Sequence, residues 1–264
     1  MRARVARFVI LLLAGVSPLA AQQPDFKWEK AIAPDKVVSL HNLSGNITVS
    51  PSTSGKVEIT GIRRGGRDSA DVTIEVYESD RGITACSMYR RMDMECNDNG
   101  FSAHSNRGSR GRDYDDGRID MEVKLPKGMR VSASSVSGDV RITGAEGSVR
   151  GGSVSGDVRL DALRATSVHA SSVSGDVTVA IASLAGDGPL NFSSVSGNVT
   201  AELPKGLDAD VSMRSVSGTL DSDFPLTLNG RVSRNTIQAR IGKGGRELEV
   251  HTVSGDVHLT MSKQ

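Results

Sequence analysis

The sequence predicts an all-β protein: a β-solenoid, or β-helix-like stack, of coils of about 20 residues. Three observations predict it: a four-residue tag recurs at a period near twenty, apolar and polar residues alternate on both sides of each tag, and aromatic residues are scarce while glycines are frequent. Aromatic residues make up 3% of the chain, and 29 of its 264 residues are glycine. Thin layers of small aliphatic side chains suit this composition better than one bulky core.

The tag is Val-Ser-Gly-Asp, with Asn or Thr in place of Asp in some copies. The first four intervals between copies are 18 to 22 residues long, and the last is 37, which we interpret as two periods with one degenerate coil between them. Self-similarity at such a period is typical of solenoids. The copies begin at Val136, Val154, Val173, Val195, Val216 and Val253, and an outlying Leu-Ser-Gly-Asn begins at Leu43.

The phase of the alternation distinguishes hairpins from stacked coils. In a hairpin with a Gly-Asp turn, Ser137 would face Val140 and Val136 would face Arg141, which mixes apolar and polar side chains on one face. If the chain bends at each tag and each strand pairs with its equivalent in the next copy, every column stacks like on like. We therefore predict stacked coils, with glycine supplying the φ freedom that each bend needs. The predicted corner glycines are Gly45, Gly138, Gly156, Gly175, Gly197, Gly218 and Gly255.

The N-terminal residues predict export. Three arginines precede the apolar run Phe8–Val16, and small residues follow up to Ala21, which is the pattern of a secretory signal peptide at residues 1–21. The run is roughly half of the ~20 apolar residues that span a bilayer, so we expect cleavage and no membrane span in the mature chain. The mature protein is then extracytoplasmic: periplasmic, at the cell surface or secreted.

The rest of the chain is predicted to be one domain. Residues 22–34 are expected to be a leader, and residues 35–264 a single β-solenoid domain. A polar insertion at residues 97–118 has no apolar period, so we expect it to be flexible. Without the signal peptide the chain has 29 basic and 31 acidic residues, and this near-neutral balance argues against a nucleic-acid partner.

The chain contains two cysteines, Cys86 and Cys96. In an oxidising compartment we expect them to form a disulfide. A redox or metal pair is the alternative, but neither Cys-x-x-Cys spacing nor a neighbouring histidine supports it.

The segment Ala239–Leu259, with the sequence ARIGKGGRELEVHTVSGDVHL, resembles the closing block of the bacterial putative adhesin family, a domain of unknown function. The Leu-Pro-Lys-Gly turns at residues 125–128 and 203–206 resemble that family too. The resemblance covers roughly residues 35–264, apart from the insertion. It implies a β-solenoid-like fold in an exported or membrane-associated envelope protein, and it brings no catalytic residues.

Two sets of side chains could carry chemistry. The repeated acids Asp139, Asp157, Asp176 and Asp256 could line an edge and bind Ca²⁺, but Asp is also favoured in turns for local hydrogen bonds, and copies with Asn or Thr favour the structural role. His41 and His251 share an outward column and His258 lies on the last strand, where surface histidines are expected. We predict neither a catalytic site nor a cofactor.

The leading hypothesis is an exported, non-enzymatic envelope scaffold or binding module whose repetitive β surface binds an envelope protein or glycan. The alternatives are a carbohydrate-active β-helix enzyme and the sensory domain of an envelope stress system. The chain ends soon after Val257–Met261, so we also expect an open C-terminal strand edge that drives self-association or binds a partner.

Overall fold

A computed structural model describes residues 24–65, 71–90, 92–104, 117–229 and 233–262 of the chain. The predicted signal peptide lies outside these ranges. Most of the described residues lie in β-strands, which are β1 Phe26–Lys30, β2 Val37–Ser44, β3 Ile47–Pro51, β4 Val57–Arg64, β5 Val72–Ser79, β6 Gly82–Tyr89, β7 Asp93–Asn97, β8 Gly100–His104, β9 Arg118–Leu125, β10 Arg130–Ser137, β11 Val140–Thr143, β12 Glu146–Ser155, β13 Val158–Ser174, β14 Val177–Leu184, β15 Leu190–Ser196, β16 Val199–Leu203, β17 Ala209–Ser217, β18 Leu220–Ser222, β19 Thr227–Leu228, β20 Thr236–Ile241, β21 Arg246–Ser254 and β22 Val257–Met261.

The strands on the two sides of the tags form two parallel ladders. The first ladder contains the strands that lead into each tag, in the order β2, β10, β12, the end of β13, and β15. The second contains the strands that follow each tag, in the order β3, β11, the start of β13, β14 and β16. Like pairs with like: Val131 lies beside Val149, and Val140 beside Val158. The prediction of an all-β solenoid of stacked coils is confirmed.

The inward columns of both ladders form one continuous hydrophobic core. Along each strand, buried residues alternate with exposed or half-buried ones, as in β10 and β15. Phe192 is among the largest fully buried side chains, and most of the remaining core is Val, Leu, Ile, Ala and Met. Each coil is thin, so it buries its apolar side chains mainly against the coils above and below it.

The coil nearest the C-terminus lies inside the stack. β21 pairs in parallel with β15 on one side and β17 on the other, and β22 pairs with β16 and β18. The expectation of an open C-terminal edge, with self-association through it, is therefore wrong. Leu248 lies beside both Leu190 and Val211, so this coil fits either neighbour equally well. The position of a coil in the stack therefore depends on whether its side-chain columns match those of its neighbours, and it does not follow the order of the coils in the chain.

The long interval between the last two tags does not contain a degenerate coil. Instead β20 runs antiparallel along the outer side of β17, and β19 pairs with β20. The loop 242–245 then carries the chain back across β17 to β21. Two aspartates hold this loop: the Lys243 backbone N–H donates to Asp208 Oδ1 at 2.7 Å, and the Gly245 N–H donates to Asp210 Oδ2 at 3.0 Å.

The N-terminal end of the stack is also closed by strands that lack the tag. The expected leader contains β1, which pairs antiparallel with β4. β6 extends the first ladder beyond β2, with β5 antiparallel to it, and β9 lies between β3 and β4 in the second ladder.

The disulfide Cys86–Cys96 joins β6 to the hairpin of β7 and β8. The expected flexible insertion at 97–118 therefore begins within this hairpin and ends in β9, while residues 105–116 lie outside the described ranges. None of the described residues forms an apolar helix of the length that a membrane crossing requires.

Removing residues 246–264 should disrupt the coils on both sides of the missing one, because β15, β16, β17 and β18 each lose a hydrogen-bonded neighbour. Amide hydrogen exchange should show protection falling at least about tenfold in β15–β18. A chain that ends at Ser262 serves as the control and should keep its protection. Full protection of β17 in the shorter chain would show that the C-terminal coil is dispensable and contradict this topology.

Candidate binding surface

The bends at the tags form a continuous corner in which each rung contacts the next. The rungs follow the ladder order, and their tags begin at Leu43, Val136, Val154, Val173, Val195, Val253 and Val216. We call this line of seven tags the tag corner. Backbone hydrogen bonds continue through it, as from Gly175 N–H to Ser196 O at 3.1 Å.

The residue before each tag ties its rung to the preceding one. The Ser172 hydroxyl is buried and donates to the Gly156 carbonyl at 2.9 Å. The first rung differs, because Asn42 Nδ2 donates to the Ile119 carbonyl of β9. These residues form a ladder of small polar side chains along the tag corner. The same hydroxyl-to-glycine contact is made by Ser135, Ser153, Ser194, Thr252 and Ser215.

The corner glycines allow two backbones to approach closely. A Cβ placed on Gly175 would lie 2.6 Å from the carbonyl carbon of Gly156, well inside van der Waals contact. Six of the seven glycines have φ between +121° and +159°, and Gly218 is the exception. A Cβ on Gly218 would nevertheless lie 2.6 Å from the carbonyl carbon of Gly255. Close approach, in addition to φ freedom, therefore requires glycine at the corner.

The last tag residue forms a ladder of side-chain acceptors. Asp157 Oδ1 accepts the backbone N–H of Asp176 at 2.8 Å, and the contact repeats on every rung from Asn46 to Thr219. Hydrogen bonds from the Thr219 backbone and hydroxyl lower the pKa of Asp256. The repeated acids thus have a structural task whether or not they bind Ca²⁺. Among the described residues, no group of three His, Cys, Asp or Glu side chains could hold a metal ion.

The first residue of each tag that begins with valine points into solvent, whereas Leu43, on the first rung, is half-buried against the core. The exposed fractions of these valines range from 38% at Val136 to 59% at Val216, whereas the inward valines of the same strands are buried. They account for most of the large hydrophobic side chains that are exposed among the described residues. We call this line the valine column; it consists of Val136, Val154, Val173, Val195, Val253 and Val216.

A groove runs along the opposite, turn side of the coils. It consists of three cavities of about 420, 210 and 350 Å³, joined through Ala162 and Ala182. Ala162 has φ of 52° and lies where the pairing of β13 with β14 shifts register, so the backbone there is strained. The Arg164 and Glu146 side chains form an ion pair of 3.8 Å at the wider end.

The structure does not bring the histidines together. His41 and His251 share one column but lie several rungs apart, on β2 and β21. The His41 ring accepts or donates a hydrogen bond with Ser134 Oγ at 2.8 Å and packs edge-on against Phe101. Burial lowers the pKa of His41 and so favours its neutral form. On the second ladder, His258 Nδ1 lies 3.9 Å from Asp221 Oδ2.

Sequence reasoning missed Arg246, which is buried at the start of β21. Its guanidinium donates to the carbonyls of Thr166, Gly186 and Gly188 and so holds the turn between β14 and β15. Burial lowers the pKa of Arg246. The available signal was the alternation: Arg246 stands two residues before Leu248 and four before Val250, so it falls on the inward face of β21.

Gly175→Ala tests the close approach at the corner. The added methyl group would collide with the Gly156 backbone, which cannot move without breaking the ladder, so we expect a loss of about 3 kcal/mol or more in the free energy of unfolding. Gly206→Ala is the control, because a Cβ there meets nothing within 4 Å, and its change should stay within about 0.5 kcal/mol. Equal unfolding curves for the two variants would contradict the proposed constraint.

Asp157→Asn and Asp157→Ala separate the hydrogen bond from the charge. Asn keeps the acceptor oxygen, as Asn46 and Asn198 do in other rungs, and should leave the thermal unfolding midpoint unchanged. Ala removes the acceptor for Asp176 N–H and should lower the midpoint by about 2–4 °C. The hydrogen-bond role is refuted if Asn is as damaging as Ala.

Comparison with known proteins agrees with this geometry. The Toastrack DUF4097 family model matches residues 36–260. A crystal structure described as a putative cell adhesion protein from Clostridium sporogenes has a TM-score of 0.52, with 12% identity over 91% of this chain and 100% of that one. A putative adhesin from Bacteroides fragilis gives a TM-score of 0.40, with 14% identity over 92% of this chain and 98% of its own.

No curated protein matched the sequence. The likeness to the Clostridium sporogenes structure concerns the fold, because the identity is low. The family match spans most of the chain and includes every tag, from Leu43 to Asp256. This chain therefore belongs to the Toastrack DUF4097 family.

Proposed function

We propose that this protein is an exported, non-enzymatic binding module of the cell envelope: an adhesin-like scaffold whose repetitive β surface binds an envelope protein or glycan. The N-terminal sequence pattern supports export, and so does the disulfide Cys86–Cys96, since disulfides persist in oxidising compartments. The Clostridium sporogenes protein of similar fold is described as a putative cell adhesion protein, and the proposal carries that role over.

The observation that carries the proposal is the valine column. At this tag position the seven rungs carry valine six times and leucine once, at the half-buried Leu43, and all six valines are exposed. An outward column of the second ladder varies freely by comparison, and its members along the stack are Thr48, Arg141, Arg159, Thr178, Thr200, His258 and Asp221. Exposure to water does not explain why one outward column is apolar while another contains Thr, Arg, His and Asp. Contact with a partner explains the apolar column better.

A purely structural explanation is weaker. β-branched side chains suit strands, and stacked valines also contact one another across neighbouring rungs. Threonine is β-branched too and would meet these needs at an exposed position while favouring solvent. It stands immediately before a tag at Thr252 and within the outward column above, yet it never occupies the valine column.

The test uses the mature chain, its Val154→Thr/Val173→Thr/Val195→Thr variant and a control with Arg141→Thr and Arg159→Thr on the second ladder. Labelled protein is bound to isolated bacterial envelopes, with and without protease or periodate treatment to distinguish protein from glycan partners. We expect the triple variant to lose binding while the control keeps it. Equal binding by all three proteins, or turnover by the wild type on a panel of polysaccharides, would contradict the proposal.

A further inference from the structure

We propose that the partner of the valine column is a second copy of this chain, paired with the first along the column about a two-fold axis parallel to it. This inference rests on the proposed function and names its partner. It differs from the C-terminal edge contact expected from the sequence, because it uses a side-chain surface and leaves the backbone ladders intact.

Periodicity is the first argument for a second copy. The six valines recur once per rung, at the strand spacing of about 4.8 Å, so that the column spans about 24 Å. A partner must repeat at that spacing to contact all of them at once. A globular protein surface lacks this repeat, and a second tag corner has it by construction. Two such ridges can interlock side by side as dry interfaces between sheets do.

Area is the second argument. Six valines exposed by 38% to 59% offer on the order of 400 Å² of apolar surface, the size of patch that marks interaction sites. Both columns together, with the exposed serines beside them, would bury about 1,000 Å², near the lower limit for a specific interface. The expected complex is therefore a weak homodimer, with a dissociation constant in the micromolar range.

Charge selects the axis. On one side of the valines lies an acidic column that includes Asp139, Asp157 and Asp176, all exposed. On the other side lies a mostly uncharged column that includes Ser134 and Ser171. An axis parallel to the valine column places the acids of each copy opposite the hydroxyl groups of the other. A perpendicular axis would place acid opposite acid, which is unfavourable.

The same axis places a basic side chain opposite an acidic one near one end of the stack. His251 and its neighbour Arg214 belong to the same column as Ser134 and Ser171, and His251 lies on the rung that contains Asp256. In the paired arrangement His251 of each copy would face Asp256 of the other. The acidic column also disfavours anionic partners, such as acidic lipid headgroups, at this surface.

Cysteine cross-linking tests both the pairing and its direction, because the native cysteines are already joined in a disulfide. Val173→Cys lies on the middle rung and Val136→Cys near one end. With a short bis-maleimide, a parallel axis predicts homodimer cross-links at both positions, whereas a perpendicular axis predicts them at Val173→Cys alone. Thr178→Cys, in the second ladder, is the control and should remain monomeric. Equal yields at all three positions would overturn the proposal.

Sedimentation velocity then measures the strength of the pairing. The wild type should dimerise reversibly, and the triple Val→Thr variant should raise the dissociation constant by about tenfold or more, while the Arg141→Thr/Arg159→Thr control should not. A wild type that stays monomeric up to roughly 1 mM would overturn the homodimer. If that monomer still binds envelopes through the valine column, the proposed function stands and only this inference fails.

Discussion

The structure depends on the contact between glycine backbones at the tag corner. Each rung approaches the next so closely that no Cβ fits between them. At this distance the serine before a tag donates its hydroxyl to the glycine carbonyl of the preceding rung, and the aspartate of that preceding rung accepts a backbone N–H in return. The three residues act as a unit: serine satisfies the glycine carbonyl, glycine permits the approach, and aspartate accepts the next N–H. The regular spacing of both ladders follows from it.

Because every rung carries the same contacts, any coil can stack on any other. That interchangeability explains how the C-terminal coil lies between two coils that precede it in the chain. The strands β1, β5 and β20, which have no tag, instead run antiparallel to β4, β6 and β17. Strands β5 and β20 cover the two ends of the first ladder and so hinder open-ended stacking of one solenoid on another there.

The corner also directs one apolar side chain per coil into water. The glycine and aspartate of the tag contact the neighbouring rungs, whereas the valine and the exposed serine that follows it remain available to a partner. Each valine of such a surface contributes little binding energy, and the contributions add up because the valine recurs on successive rungs.

The sequence by itself determined the fold class, the period, the stacked pairing and the residues of the corner. Tags such as Val136–Asp139 repeat visibly, and the alternation around them has only one phase that buries like with like. The sequence could not determine the order of the coils, because Leu248 matches both Leu190 and Val211. Nor could it determine the role of Arg246, because the carbonyl groups that Arg246 binds lie about 60 to 80 residues away in the chain. Only the tertiary structure decided which valines are exposed and why glycine is needed at each bend, because both depend on the distance between coils that are separate in sequence.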